Sequence, residues 1–174
     1  MLKKVAIAVT VILLAIVGLG LTKPDSFSVQ RTIVIKAPPD KIMPFISDFH
    51  HWPRWSPWEE LDPAMARTFS GAASGKGAVY DWKGNSDVGQ GRMEIIEAGP
   101  TKSVTKLDFI DPMEAHNVME FNLTPQGDST QVTWTMTGPT PFLFKVMHVF
   151  VSMDKMVGAD FEKGLAKLKT VAEQ

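Results

Sequence analysis

SMDKMVGADFEKGLAKLKTVA, residues Ser152 to Ala172, is the stretch that decides the fold. Met153, Val157, Phe161, Leu165, Leu168 and Ala172 recur at steps of three and four and form one apolar stripe. Lys155, Glu162, Lys163, Lys167 and Lys169 fall on the opposite side. This predicts a long amphipathic helix with a single face to bury. Gly158 and Gly164 each cost a helix about 1 kcal/mol. Their presence predicts a helix that sits close to a sheet, with room for a ligand as the other reading.

Working outward, the surface for that stripe must come from strands. Thr133, Thr135 and Thr137 alternate with Val132, Trp134 and Met136, the cleanest two-faced strand in the chain. Ala115, Asn117, Met119, Phe121 and Leu123 share one face, as do Thr105, Leu107 and Phe109. Phe27 to Ile35 alternates as well. Shorter strands are predicted over 67–69, 78–82 and 89–95, where Gly89 and Gly91 signal a bulge or a close backbone contact. Turns fall at 71–77, 83–85, 99–100 and 125–128. Pro38-Pro39-Asp40 starts a helix carrying Ile42, Phe45, Ile46 and Phe49. Gly138-Pro139-Thr140-Pro141 ends the sheet before a short apolar helix from Phe142 to Val151. An antiparallel sheet wrapped around the C-terminal helix satisfies both faces and leaves a space between them.

Three of the five tryptophans lie in His51-Trp52-Pro53-Arg54-Trp55-Ser56-Pro57-Trp58-Glu59. Each ring can bury about 150–250 Å². Pro53 and Pro57 prevent a long helix here and favour a stiff, turn-like arm. Such an arm is either a core plug or a lid on an apolar cavity. Trp55 is expected to be core. Trp58 is expected at a rim, because Pro57 redirects the chain and Glu59-Glu60 returns it to water.

The N-terminus has Lys3-Lys4, an uncharged apolar run from Val5 to Leu21, and then Thr22-Lys23-Pro24-Asp25. Seventeen residues make about 25 Å of helix, near the short end of a membrane span. An uncleaved anchor is favoured over a signal peptide, whose apolar stretch is shorter. Residues 1–25 are thus read as membrane anchor and linker, and 26–174 as one domain. Lys3 and Lys4 favour a cytoplasmic N-terminus, which puts the domain on the periplasmic side of a bacterium-like cell.

The charge is near balance, with 18 basic and 19 acidic residues and no basic run, which argues against nucleic acid as a partner. There is no cysteine, hence no thiol nucleophile, disulfide or lipoprotein anchor. His50, His51, His116 and His148 lack metal-ligand spacing, so no metal is expected. No Gly-x-Ser-x-Gly elbow is present.

The order of elements resembles the START-like, helix-grip superfamily (SRPBCC), which includes polyketide cyclase/dehydrase and lipid-transport proteins. The residues that carry the resemblance are Val34-Ile35-Lys36-Ala37-Pro38-Pro39, Trp52-Pro53-x-Trp55-Ser56-Pro57-Trp58 and Asp62-Pro63. Gly75-Lys-Gly77-Ala78-x-x-x-Trp82-x-Gly84-Asn85, Gly89-x-Gly91 and Pro112-Met113 continue it. Thr130-x-Val132-x-Trp134 and Asp160-Phe161-Glu162-x-Gly164-Leu165-x-x-Leu168-Lys169 complete it. The resemblance implies an α+β helix-grip fold, a curved antiparallel sheet around the C-terminal helix, and an apolar cavity. It implies no shared catalytic signature and no cofactor.

The residues expected to line that cavity are Trp55, Trp58, Tyr80, Trp82, Met93 and Phe109, together with Asn117, Met119, Trp134, Met136 and Phe161. Asp81, Arg92 and Glu94 alternate with apolar neighbours and are expected to form a solvent-facing charge group. The expected function is binding of a hydrophobic or lipid-like small molecule at a membrane surface. A cyclase/dehydratase-type enzyme is the alternative, with Asn117 and Tyr80 as its only candidate polar groups. A third reading is an interaction domain without a ligand. No catalytic residue is assigned, because no buried carboxylate pair is found.

Overall fold

The computed structural model describes residues 1–174. Helix α1 spans Leu2–Leu21. Strand β1 (Ser26–Ile35) and helix α2 (Pro39–Ser47) lead into two 3-10 turns, Phe49–Arg54 and Pro57–Glu60. Six strands follow: β2 (Ala66–Gly71), β3 (Ala78–Lys83), β4 (Gln90–Ala98), β5 (Lys102–Asp111), β6 (Ala115–Gln126) and β7 (Ser129–Pro139). Helices α3 (Phe142–Met147) and α4 (Met153–Ala172) close the chain. The seven strands form one antiparallel sheet in the order β1-β7-β6-β5-β4-β3-β2. The sheet grips α4, as the stripe and the alternation require.

The alternating strands bury the expected faces. On β6 Asn117, Met119, Phe121 and Leu123 are buried, and on β7 Val132, Trp134 and Met136. Of the α4 stripe, Phe161, Leu165, Leu168 and Ala172 are buried in the same core. Trp134 is its centre. Its ring stacks on Phe161 of α4 at 4.1 Å and 9° between planes, and on Phe121 of β6 at 4.9 Å and 25°. Trp55 and Trp58 meet it edge-on at 5.6 and 5.8 Å. Both arrangements suit the ring quadrupole. Trp134 Nε1 has no hydrogen-bond partner, so packing alone holds the ring.

The tryptophan arm is pinned to α2. Trp52 Nε1 donates to the Ile46 carbonyl at 3.1 Å, and Trp55 Nε1 to the Phe45 carbonyl at 2.8 Å. Rings with satisfied N–H groups can be wholly buried, and Trp55 is.

Both helix glycines sit where α4 comes nearest the sheet. A Cβ on Gly158 would lie 2.1 Å from Nη2 of Arg31. That guanidinium crosses the helix to Asp154 and Glu162, each at 2.7 Å. The hydrogen bonds that Arg31 donates to these two carboxylates hold its pKa above its ordinary value. A Cβ on Gly164 would lie 3.0 Å from Cζ3 of Trp134 and 3.2 Å from Pro57. Gly91 makes room for Trp82, whose ring would meet a Cβ there at 2.3 Å. The pairing register shifts at that point, as the two glycines predict.

Two elements differ from expectation. The helix before α4 ends at Met147 rather than Val151. Val149 and Phe150 close i to i+3 turns instead, with Val149 half-buried and Phe150 exposed. The N-terminal helix begins at Leu2, so Lys3 and Lys4 lie in its first turn. It has 20 residues, of which 18 in a row have a mean hydropathy of 2.5, and is long and apolar enough to cross a membrane.

Gly164→Ala tests the closeness of α4. Alanine favours a helix by up to about 1 kcal/mol. Trp134 is confined by Phe121, Phe161 and Trp55 and cannot yield, and overpacking costs about 1–3 kcal/mol. Urea denaturation is expected to show net destabilisation of about 1 kcal/mol. A more stable variant would contradict the contact.

Candidate functional site

Between the sheet and the N-terminal half of α4 lies a cavity of about 150 Å³. Of its 17 lining residues 14 are apolar, so it offers few polar contacts. Strands β3 to β7 supply Tyr80, Trp82, Met93, Phe109, Asn117, Met119 and Met136, and Phe161 comes from α4. Trp58 closes one side. These nine expected residues are brought together. Trp55 and Trp134 are not among them: both lie behind the lining, fully buried in the core. The correction has a physical cause. Their rings interlock with Phe121, and that packing fills the space a cavity would need.

Further lining residues were within reach of the sequence patterns. Leu107 shares the β5 face with Phe109, and Met153 and Val157 share the α4 stripe with Phe161. Met65 and Val88 lie in loops, where no periodicity marks them. Met65, Met93, Met119, Met136 and Met153 place five of the chain's ten methionines on this one cavity. Unbranched and polarisable, they can move to fit differently shaped guests.

Three polar residues line the space, Ser56, Asn117 and Glu59, and the last two stand out. Asn117 is 6% exposed, and no side-chain hydrogen bond within the protein engages its amide. Gly138 beside it is needed, because a Cβ there would stand 2.0 Å from Asn117 Oδ1. The amide can therefore serve a ligand as donor and acceptor. The second feature is Glu59, which was expected to return the chain to water. It is buried instead, while Glu60 reaches solvent and pairs with Lys167. Arg67 Nε donates to one Glu59 oxygen at 2.7 Å and Tyr80 Oη to the other at 2.7 Å. These two donors are the reason a carboxylate is tolerated there. Nothing in the local sequence pattern distinguishes Glu59 from Glu60, and Arg67 comes from β2 across the fold.

Burial of Tyr80 raises its phenol pKa above the ordinary value, and its hydrogen bond to Glu59 adds to the rise. The outward group behaves as read from alternation: Arg92 lies 3.2 Å from Asp81 and 3.9 Å from Glu94 on the exposed side of the sheet. No group of three His, Asp or Glu side chains is placed to hold a metal ion.

Tyr80 is the chain's only tyrosine, so absorbance at 295 nm reports it alone. The folded state holds the phenol proton more tightly than the unfolded state. Its contribution to stability is therefore full below pH about 10 and falls as pH rises beyond it. The native protein is expected to show little tyrosinate at pH about 11, whereas the urea-unfolded chain titrates near 10. A native titration at the ordinary value would contradict the Tyr80–Glu59 bond.

Several solved structures share this architecture. A protein of Chromobacterium violaceum is 13% identical, with a TM-score of 0.59 over 87% of this chain and 99% of its own. A protein of Mesorhizobium loti is 18% identical, with a TM-score of 0.57 over 83% of this chain and 96% of its own. The di-domain ARO/CYC StfQ from the steffimycin biosynthetic pathway is 13% identical, with a TM-score of 0.60. The match covers 85% of this chain and 51% of StfQ, so the chain spans about half of that protein. At these identities the likeness is one of fold. No curated protein matches the chain in sequence. The family model for polyketide cyclase / dehydrase and lipid transport matches residues 26–173, nearly the whole gripping sheet and its helix, and the chain belongs to that family.

Proposed function

We propose that the chain binds a hydrophobic or lipid-like small molecule in the cavity between sheet and α4, at a membrane surface. In this reading residues 1–25 tether the 26–174 domain as a single-pass anchor. Lys3 and Lys4 keep the N-terminus cytoplasmic, and the domain lies on the periplasmic side. The observation that carries the reading is the lining itself: apolar, rich in methionine, with one unengaged amide at Asn117. A site of this kind binds through apolar contact and orients its guest through a few polar groups. The size of the space suits one ring or a short stretch of acyl chain, since about 150 Å³ of dry cavity takes a benzene-sized guest. Longer molecules enter by displacing methionines.

A second reading is favoured by Glu59. A buried carboxylate bonded to a phenol at a cavity wall is a candidate for moving a proton, as a cyclase or dehydratase would need. The family includes polyketide cyclases, which is consistent with that chemistry. Against it, both Glu59 oxygens are already engaged by Arg67 and Tyr80.

Native mass spectrometry of gently extracted protein is expected to show a bound apolar molecule. N-phenyl-1-naphthylamine should displace it and quench tryptophan fluorescence. If no molecule co-purifies and the probe does not bind at micromolar levels, the binding reading fails. Re-adding the released molecule to emptied protein separates the two readings. Recovery unchanged supports binding, whereas a product whose formation stops in Glu59→Gln supports the enzyme.

Trp58 and Trp55 are expected to respond differently to truncation. Trp55→Ala should cost about 3–5 kcal/mol of stability. Trp58→Ala should weaken the probe about tenfold, the equivalent of about 1.4 kcal/mol, and destabilise the fold less than Trp55→Ala. Chemical denaturation alongside a binding titration reads both. A large stability loss at Trp58, with affinity per folded molecule unchanged, would contradict its place at the cavity.

A further inference from the structure

The register of the sheet puts the cavity at one end of the molecule. Ser26 pairs with Pro139, Val118 with Thr137, Phe109 with Ala115 and Gln90 with Asp111. One end therefore gathers the start of β1, the end of β7, the β5–β6 hairpin and the loop before β4. Phe109, Asn117, Met136 and Val88 line the cavity from this end. The opposite end, around Ile35, Leu123 and Val132, is solid core. Helix α1 stops at Leu21, only four residues before β1, so it joins the domain at the cavity end.

Helix α3 hangs from that end and packs on the last turn of α1. Gly20 is buried there, and a Cβ on it would stand 3.1 Å from the Val146 side chain. The linker is fixed to the same place. Thr140 N donates to the Asp25 carbonyl at 2.7 Å, and Lys145 forms an ion pair with the Asp25 carboxylate. One side of α3 thus meets α1, yet Phe142, Leu143, Met147, Phe150 and Val151 are exposed, Phe150 to 67%. Ile110 and Met113, beside the β5–β6 turn at the same end, are exposed too. Half-buried Met153 and Val157 follow directly on α4 and form the rim of the cavity. Several large apolar side chains together at one end of a water-soluble domain call for a covering surface.

We propose that α3, the segment through Val151 and the β5–β6 hairpin rest in the interfacial layer of the membrane that α1 enters. The mouth beside Met153 and Val157 then opens onto lipid, and the bound molecule passes between bilayer and cavity without crossing water. The inference rests on reading α1 as a membrane span. What covers the apolar segment is set by continuity: it touches α1 one residue from the helix end, the level of the headgroup boundary. Charge does not drive the contact. The lysines of α3, the linker and the first turn of α4 are few: Lys23, Lys155, and Lys145, which is paired with Asp25. Zwitterionic bilayers should therefore suffice, bound through apolar burial.

The chain has no native cysteine, so single cysteines report position cleanly. Full-length Leu143→Cys, Phe150→Cys, Val11→Cys and Asp128→Cys would each carry a bimane label in phosphatidylcholine vesicles with brominated acyl chains. Labels at 143, 150 and 11 are expected to be quenched by the brominated lipid. The label at 128, in the hairpin at the far end of the sheet, is expected to be quenched only by aqueous iodide. If 11 is lipid-quenched while 143 or 150 behaves like 128, the anchor stands and this inference falls. If 11 is not lipid-quenched, the anchor falls and the inference with it. In the same vesicles, Leu143→Glu with Phe150→Glu should slow uptake of N-phenyl-1-naphthylamine from the bilayer by about tenfold. Its equilibrium affinity in detergent should stay unchanged, since neither residue lines the cavity. Unaltered uptake would overturn exchange through this mouth.

Discussion

The stack of Trp134 on Phe161 is the contact on which the other arrangements depend. It joins the centre of β7 to the middle of α4 at 4.1 Å. Everything on the side of this stack toward the α4 C-terminus is filled: Leu165, Leu168 and Ala172 descend into Ile35, Leu123 and Val132. Everything toward the α4 N-terminus is held apart. Trp134 and Phe161 fix the spacing of helix and sheet, and the side chains beyond them do not close the gap. Met136, Met153 and Val157 are too slender to do so, and the cavity is what remains. The tryptophan arm braces the stack from the side through Trp55 and Trp58, and α2 braces the arm through two indole hydrogen bonds.

This division of labour explains how a rigid core and an adaptable site coexist in one small domain. Interlocked rings give the core close packing with few alternatives. Methionines give the site alternatives at little energetic difference. The Glu59–Arg67–Tyr80 cluster adds one fixed polar point to an otherwise soft wall. With the Asn117 amide and the Ser56 hydroxyl, it makes the cavity polar at three places and apolar elsewhere.

Much of this was legible in the residues. A period of two exposed the inward faces of β6 and β7, and a period near 3.6 exposed the α4 stripe, because each face meets one uniform environment along its length. Gly158 and Gly164 were legible for a related reason: a helix tolerates glycine where something else occupies the place of a side chain, here Arg31 and Trp134. What alternation could not divide was core from cavity. Trp134 and Met136 are adjacent inward positions on one strand, and only the arm and helix packed above them make one a plug and the other a wall. Glu59 was illegible because it lies in a short 3-10 turn without periodicity, and the partners that allow its burial come from β2 and β3. The short α3 misled in length because its apolar residues suggest a buried helix, whereas most face outward.

The Trp134–Phe161 stack leaves a preformed, mostly apolar space beside it. Crystals of the protein pressurised with xenon test it most directly, since xenon enters apolar cavities of this size and not water-filled ones. Xenon is expected in contact with Met119, Met136 and Phe161. Ordered water filling that position, or collapsed methionines with no xenon, would contradict it.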